Sequence, residues 1–482
     1  MRLVSSDRLV ILDELRVPYE LVSDTDPAAG KAADPFPLSG FAALRQTDRT
    51  YPPVLRWPSG SDSLVGATGL HYIDGIPFFA RLADDSVLRE QAGRHGWAAV
   101  VELLDGGGQR VGSVWREPDG SLVLPFDPNE AIQNLTMERY RDLGRSGGRS
   151  SGLGVRAYYL LRPVLPRRVQ LAMRRAFSRI QARATFPRWP YEPARHDLAR
   201  RIYGFLAEIT DAPPPWIAPW PRGHSWALVL THDVETAVGY RRILEISDME
   251  EAQGFRSSWN FVPRRYDIED AMVGAIADRG FEVGIHGLYH DGRDLESPQM
   301  IRERLPAIRE YADRWGAVGF RSPATQRRWE WMGLLGFEYD SSFPDTDPYE
   351  PQAGGSCSWL PFFIEDLVEL PITLPQDHTL FVILGRTGAS TWIDKARQLR
   401  ARSGMALLLT HPDYLTQRTI AEAYGSFLAE FRGDASAWRA LPRDVAAWWR
   451  RRAASRVEPS DDGWRVVGPA AGEAVIETGT PS

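Results

Sequence analysis

The 482-residue sequence has one cysteine, Cys357, and only two lysines, Lys31 and Lys395. A single thiol excludes intrachain disulfides, cysteine-based zinc clusters and iron–sulfur ligation. The basic residues are almost all arginine, a coding bias that carries little functional information. Long apolar runs are missing as well, and nothing approaches the roughly 20 residues a membrane-spanning helix needs. The first 22 residues have charges inside their apolar run and no small-residue cleavage site. They read as a first α/β segment and not a signal peptide, which makes the cytoplasm the default compartment. There is no excess of positive charge: the net charge is −6, which gives no general reason to expect a nucleic-acid partner. No strand leads into the glycine fingerprint of a dinucleotide site. The glycine-rich "DGGGQRVG" (105–112) falls in a hairpin turn, not between strand and helix, so it reads as a turn and not a phosphate loop.

What is present is a soluble globular composition, 43% hydrophobic, in a chain long enough for about two to four domains. Residues 1–143 mix short elements: a helix over Ser6–Leu15, strands over Pro18–Val22 and Val100–Leu104, and a strand–turn–strand over 111–127 around Pro118-Asp119-Gly120. Residues 144–223 read as connecting structure. They hold the flexible "GRSGGRSSGLG", an arginine-rich helix over Tyr158–Arg183, and the stiff "DAPPPWIAPWPRG". Arg167, Arg168, Arg174, Arg175, Arg179 and Arg183 are a solvated helix face on the plain reading. The alternative is weak peripheral contact with an anionic membrane surface.

From Trp226 the pattern becomes strand and helix in alternation. Strand-like runs fall at Trp226–Thr231, Ser257–Val262, Phe281–Ile285, Ala317–Phe320, Phe337–Tyr339, Leu367–Leu370 and Ala406–Thr410, with helical runs between most of them. Such alternation predicts βαβ units and a parallel sheet. Seven strands in this span suit an irregular barrel better than an open dinucleotide-binding sheet. The expected layout is therefore an α/β chain: an N-terminal domain (1–143), a linker region (144–223), an irregular (β/α)7 barrel (224–450) and a C-terminal tail (451–482).

Barrel strands carry their chemistry at their C-terminal ends. Here the strands end in "THDVE", "HGLYHDG", "FRSPAT", "YDSSFPD" and "LTHPDY", so polar groups collect on one rim. Residues i and i+2 of an extended end share a face. Asp233 and Glu235 are thus aimed together, while His232 and Val234 turn away. His286 and His290 are spaced i, i+4, close enough for one metal if that turn is helical. Two imidazoles and a carboxylate leave positions open for water and substrate, which is a catalytic arrangement. Each element has a plain alternative: a chance His-x-x-x-His, an Arg321–Asp340 ion pair, a core His411 on a carbonyl, Asp340 capping a turn. Their occurrence after successive strands of one barrel argues against chance.

With these residues in view, 226–412 resembles the NodB-like polysaccharide deacetylases, carbohydrate esterase family 4, with "THDVE", "HGLYH", "RSP", "YDSSFPD" and "LLLTHP" standing for that family's five motifs in order. The resemblance implies a distorted (β/α) barrel and a metal-dependent deacetylase. It makes Asp233 the general base, His286 and His290 metal ligands, Arg321 the residue orienting the base, Asp340 the acid of the fourth motif and His411 the general acid. The sequence departs from the family at the metal carboxylate: Val234 stands where many members have Asp, which leaves Glu235 as the third ligand. One divalent ion is expected, zinc first, with cobalt, manganese or nickel as alternatives. The expected reaction removes an N-acyl group, acetyl above all, from an amino sugar in a glycan or its precursor. Rival readings are a deformylase or allantoinase-like amide hydrolase on the same barrel, and an inactive glycan- or partner-binding homologue. The N-terminal segment faintly resembles the amidotransferase-like domains sometimes attached to such enzymes. Without a cysteine it reads as a packing or partner domain.

Overall fold

The computed structural model describes residues 3–21, 36–47, 53–143, 174–176 and 178–481. The chain divides into two compact units, one of residues 1–146, 193–222 and 451–482, the other of residues 147–192 and 223–450. The connecting region expected over 144–223 is thus shared between them, and the 451–482 tail belongs to the first. The glycine-rich break and most of the basic helix lie outside the described residues. Among the described residues no helix is long and apolar enough to cross a membrane.

The first unit is built on a nine-stranded sheet. Most neighbours run antiparallel; Leu3–Ser5 with Tyr19–Leu21 and Val54–Pro58 with Leu122–Val123 are parallel. Apart from the strand–helix–strand of Leu3–Leu21, the unit is therefore not assembled from parallel βαβ units. "DGGGQ" is the turn between the antiparallel strands Ala98–Asp105 and Arg110–Arg116, with Gly108 at a φ of +78°. The tail forms a hairpin, Arg456–Ser460 with Gly463–Val467. Its last strand, Ile476–Glu477, pairs with Trp216–Ile217.

The second unit holds the seven expected parallel strands: β1 (Trp226–Val234), β2 (Ser258–Phe261), β3 (Glu282–Ile285), β4 (Gly319–Phe320), β5 (Tyr339–Asp340), β6 (Leu367–Glu369) and β7 (Met405–Thr410). Their order across the sheet is β6-β5-β4-β3-β2-β1-β7. Two short strands are added, Phe362–Ile364 antiparallel beside β6 and Ala437–Arg439 parallel beside the start of β1. Every residue of β1 is buried, which explains its unbroken apolar run: a parallel strand covered on both faces has no polar side to alternate with. The sheet curls back on itself. Beyond β6, Leu374 donates its N–H to Leu407 O (3.0 Å), and Thr373 Oγ1 donates to Met405 O (2.7 Å) and accepts from Leu407 N (2.8 Å), so this segment runs beside β7.

Helices α1 (Ile243–Ala252), α2 (Asp270–Asp278), α3 (Pro298–Trp315), α4 (Ser390–Ala401) and α5 (Arg418–Phe431) connect or flank the strands. The bounds of α3 are legible in its residues. Ser297 caps Met300 N, Pro298 opens the first turn, and Gly316 ends it at a φ of +63°. The core is aromatic, with Trp226, Trp259, Trp359 and Trp392 buried among Phe, Leu and Ile side chains from strands and helices. The proline-rich "FPRWPYE" (186–192) belongs to this unit: Tyr191 stacks on Trp359, and Trp189 meets Tyr349 edge-on.

Candidate active site

Four strand ends deliver the site. β1 carries Asp233 and, one residue past its end, Glu235. His286 follows β3, Arg321 follows β4 and His411 follows β7. Glu235 is the meeting point. Its Oε1 lies 2.8 Å from His290 Nε2, 3.6 Å from His411 Nε2 and 4.0 Å from His286 Nε2. The shared orientation of Asp233 and Glu235 is realised, because β1 stays extended through Val234.

The His-x-x-x-His segment is not a helical turn. It is an irregular loop with Gly287 at a φ of +66° and His290 at +57°. A Cβ at Gly287 would lie 2.3 Å from Asp294 Oδ2 and 2.7 Å from Pro323 Cδ, so only glycine fits there. Arg304 on α3 anchors this loop by bonds to both Asp291 and Asp294. The two imidazoles still converge, with ring centroids 5.1 Å apart.

His286 supplies the test for a bound cation. Its Nδ1 lies 3.1 Å from the Arg321 carbonyl oxygen, which only accepts, so Nδ1 carries the proton and Nε2 is a lone pair. Burial pulls the imidazole down to about 4, which keeps the ring neutral. That Nε2 is buried, has no hydrogen-bond partner, and faces Asp233 Oδ2 at 3.6 Å as well as Glu235. A lone pair turned toward two carboxylates is repulsive unless a positive charge stands among them. Glu235, His286 and His290 each offer a ligand atom, all within 4.8 Å of one another. The residues fit a divalent cation, and the carbonyl behind His286 fixes its tautomer as ligation requires.

Asp233 is buried. Its Oδ1 accepts from Asn260 Nδ2 at 2.9 Å and from Arg321 at 3.1 Å, so Oδ2 is the oxygen left toward the site. Burial pushes this carboxyl up, but His286, Arg321 and His411 outweigh that effect and hold it below the usual range. Arg321 is itself held on all sides, donating to Ser341 O (2.7 Å), Ser341 Oγ (2.8 Å) and Thr231 Oγ1 (2.8 Å). Breaking such a buried pair by removing one partner typically costs about 3–5 kcal/mol. In Glu235, burial raises the carboxyl, yet the His290 bond and the neighbouring imidazoles bring it well below the carboxylate range.

His411 behaves oppositely to His286. Burial lowers its imidazole, but Asp377 at 2.6 Å outweighs this, with Glu235 and Asp233 adding to it, and raises the group to about 10. One buried imidazole is therefore neutral and the other charged in the same cluster.

Asp340 is not gathered into the cluster. Its oxygens accept the Ser342 N–H (3.0 Å) and O–H (2.9 Å). Its neighbour is Glu369, which burial and Asp340 push well above the carboxylate range, so the two carboxyls share a proton. Nor is Asp340 the partner of Arg321; Asp233 is. The acid set against His411 is Asp377. Asn260 and Asp377 went unread in the sequence. Asn260 sits inside the short strand "SWNF", where an amide between two aromatic residues is the only sign. Asp377 lies in "LPQDH", where it opens the helical turn His378–Ile383.

Fold and site together define a parallel α/β sheet whose C-terminal rim carries a carboxylate, a charged imidazole and a Glu–His–His cradle. The chain is similar to polysaccharide deacetylases of known structure, among 32 matching solved chains. A protein of Mycobacterium smegmatis named as a polysaccharide deacetylase is 22% identical, with 48% of this chain and 93% of that chain covered and a TM-score of 0.40. One of Pseudomonas aeruginosa PAO1 is 17% identical, with 48% and 92% covered and a TM-score of 0.38. An allantoinase is also 17% identical, with 48% and 92% covered and a TM-score of 0.35. No protein-family model matches the chain, and no curated protein matches it.

Proposed function

We propose that the chain is a metal-dependent hydrolase that removes an N-acyl group, acetyl above all, from an amino sugar of a glycan or glycan precursor. The observation that carries this reading is the convergence on Glu235 of three imidazole nitrogens, one an unpaired lone pair, beside the buried carboxylate of Asp233. The motif order of a NodB-like barrel in the sequence supports it.

Glu235, His286 and His290 would hold the ion, for which zinc is the first choice. Such an ion polarises an acyl carbonyl and lowers the pKa of water. The chain's own groups divide the proton transfers. Asp233, ionised and oriented by Asn260 and Arg321, takes a proton from the attacking water at Oδ2. His411, charged and oriented by Asp377, donates its Nε2 proton to the departing amine as the C–N bond breaks. An amine is a poor leaving group as an anion, so an amide needs that donor. Base and acid are thus kept in opposite protonation states at neutral pH by different neighbours, the pattern expected of an acid–base pair.

The test is acetate release from N-acetylated amino-sugar oligomers by the purified full chain, before and after chelation and zinc restoration. Release that disappears with the metal and returns with it supports the reading. Turnover confined to formamides or cyclic ureides would replace it with the small-amide reading. A chain that binds zinc but hydrolyses none of these would be an inactive homologue.

A further inference from the structure

The histidine of "LTHDVE" has no part in the chemistry above, yet it is wholly buried one residue before the base. Its ring is held on both edges and one face. Nε2 lies 2.7 Å from Glu250 Oε1 on α1, and Nδ1 lies 2.8 Å from Thr410 Oγ1 at the end of β7. The ring stacks on Trp259 of β2 with centroids 4.2 Å apart. Glu250 also accepts hydrogen bonds from Tyr424 on α5 and from Ser257 Oγ (2.6 Å). A carboxylate only accepts, so His232 Nε2 is the donor to Glu250. The other ring nitrogen, Nδ1, is bonded to the Thr410 hydroxyl.

The position of this bridge gives it a consequence. His232 and Thr410 are register partners across the parallel pair β1–β7. The next residue of β1 is Asp233, and the next residue after β7 is His411. A second side-chain bridge joins the same two segments just beyond, from Thr236 Oγ1 to Asp413. The two bridges bracket Asp233 and Glu235 on one segment and His411 on the other. Backbone pairing alone leaves the strand ends free to splay where the ladder stops at Thr410. A hydrogen-bonded ring anchored to a third element limits that movement.

We propose that His232 is a positioning residue: by joining Glu250 to Thr410 it sets the separation between the β1 end that carries Asp233 and the β7 end that carries His411. This rests on the assignment of His411 as proton donor. Loss of the bridge leaves Asp233 on β1, where Asn260 and Arg321 still hold it, but leaves His411 held by Asp377 alone, without the side-chain link from the end of β7 to β1. The effect should therefore fall on steps that need the acid.

The experiment compares His232→Phe, which keeps a ring on Trp259, with Thr410→Val, which keeps the shape of the threonine, and Thr410→Ser, which restores the hydroxyl. Each full-length variant is assayed on an N-acetylated amino-sugar oligomer and on an activated aryl acetate, whose phenolate leaves without protonation. Misplacement of a catalytic group by about 1 Å costs on the order of 10²-fold. The expected result is a fall in kcat of about 10- to 100-fold on the amide for His232→Phe and Thr410→Val. Aryl acetate turnover and KM should stay within a few-fold, and Thr410→Ser should regain most of the amide rate. Equal losses on both substrates, or no loss on either, overturn the proposal. A readout independent of turnover uses the metal-free protein with ¹⁵N-labelled histidine. Thr410→Val should shift both the His232 Nδ1 signal and the Asp377-bound Nδ1–H of His411. If the His411 signal stays unchanged, the bridge does not position it. Should wild type hydrolyse neither substrate, the hydrolase reading fails and the spectra alone decide the bridge.

Discussion

The His411 imidazole and the Asp377 carboxylate are joined twice: Nδ1 lies 2.6 Å from Oδ1, and the His411 backbone N–H donates to Oδ2 at 2.7 Å. The same carboxylate accepts the His378 N–H at 2.7 Å, so it is fixed at the start of a helical turn and cannot swing away. Ring orientation and charge at His411 thus come from one residue more than 30 positions earlier in the chain.

Asp377→Asn should move the alkaline limb of the pH–rate profile to lower pH. The proton donor works only when protonated, so the rate is present below its pKa and lost as pH rises through it. Asp377 is the largest influence raising that pKa toward about 10, and its charge disappears in the amide. kcat on the amide substrate, measured across pH 6–11, checks this. A limb left where it stands in wild type would mean that another group sets it.

One divalent ion per chain is expected after mild dialysis against trace zinc, and His286→Ala and Glu235→Ala should each hold far less. The reason is that each offers a ligand atom within the 4.8 Å set. Elemental analysis of the dialysed proteins is the measurement. Full occupancy in both variants would place the metal elsewhere or show it to be nonspecific.

Asp233→Asn should keep the ion and lose the chemistry. The carboxylate lies 3.6 Å from His286 Nε2 and spends Oδ1 on Asn260 and Arg321, which suits a base better than a ligand. Losing general-base catalysis costs about 10²–10⁴-fold in rate. Metal content and kcat measured together decide the matter, and a metal-free Asp233→Asn would make this residue a ligand.

A stability effect is expected far from the rim. Glu282 is buried at the start of β3 between Tyr339 Oη (2.6 Å) and Arg443 N (3.0 Å), and burial raises its carboxyl to about 7 from 4.5. The folded state then binds the proton more tightly than the unfolded state. Its stabilising contribution is complete below pH 4.5 and is lost as pH rises toward 7. The loss amounts to roughly 3 kcal/mol at about 1.4 kcal/mol per pH unit. Glu282→Gln, which mimics the protonated acid, should flatten that slope and unfold at a higher temperature than wild type at pH 8. Thermal denaturation of both proteins between pH 5 and 8 shows whether it does.

The seven parallel strands were legible because each is a short apolar run, five of them ending in a polar cluster, and burial on both faces leaves no alternation to confuse the pattern. The shared face of Asp233 and Glu235 was legible for the same reason: an extended chain has a fixed two-residue period. So was the placing of Glu235, His286, Arg321 and His411 on one rim, since each lies at or just past the C-terminal end of a parallel strand.

The tertiary structure decided the pairings. Nothing in the sequence tells that His232 turns inward to Glu250 and Thr410, that Asn260 serves Asp233, or that His411 takes Asp377 while Asp340 shares a proton with Glu369. Each is a contact between segments far apart in the chain, chosen by strand register and by which side chains fit the space between sheet and helix. The His-x-x-x-His loop makes the same point. Its spacing brings both histidines to one metal if the turn is helical, but Gly287 lies against Asp294 and Pro323 in a left-handed conformation, and the two imidazoles meet through that packing. Local periodicity determines which way a side chain starts out. Only the three-dimensional packing of the elements determines what it meets, because a hydrogen bond needs its partner within about 3 Å and periodicity does not specify distances between elements.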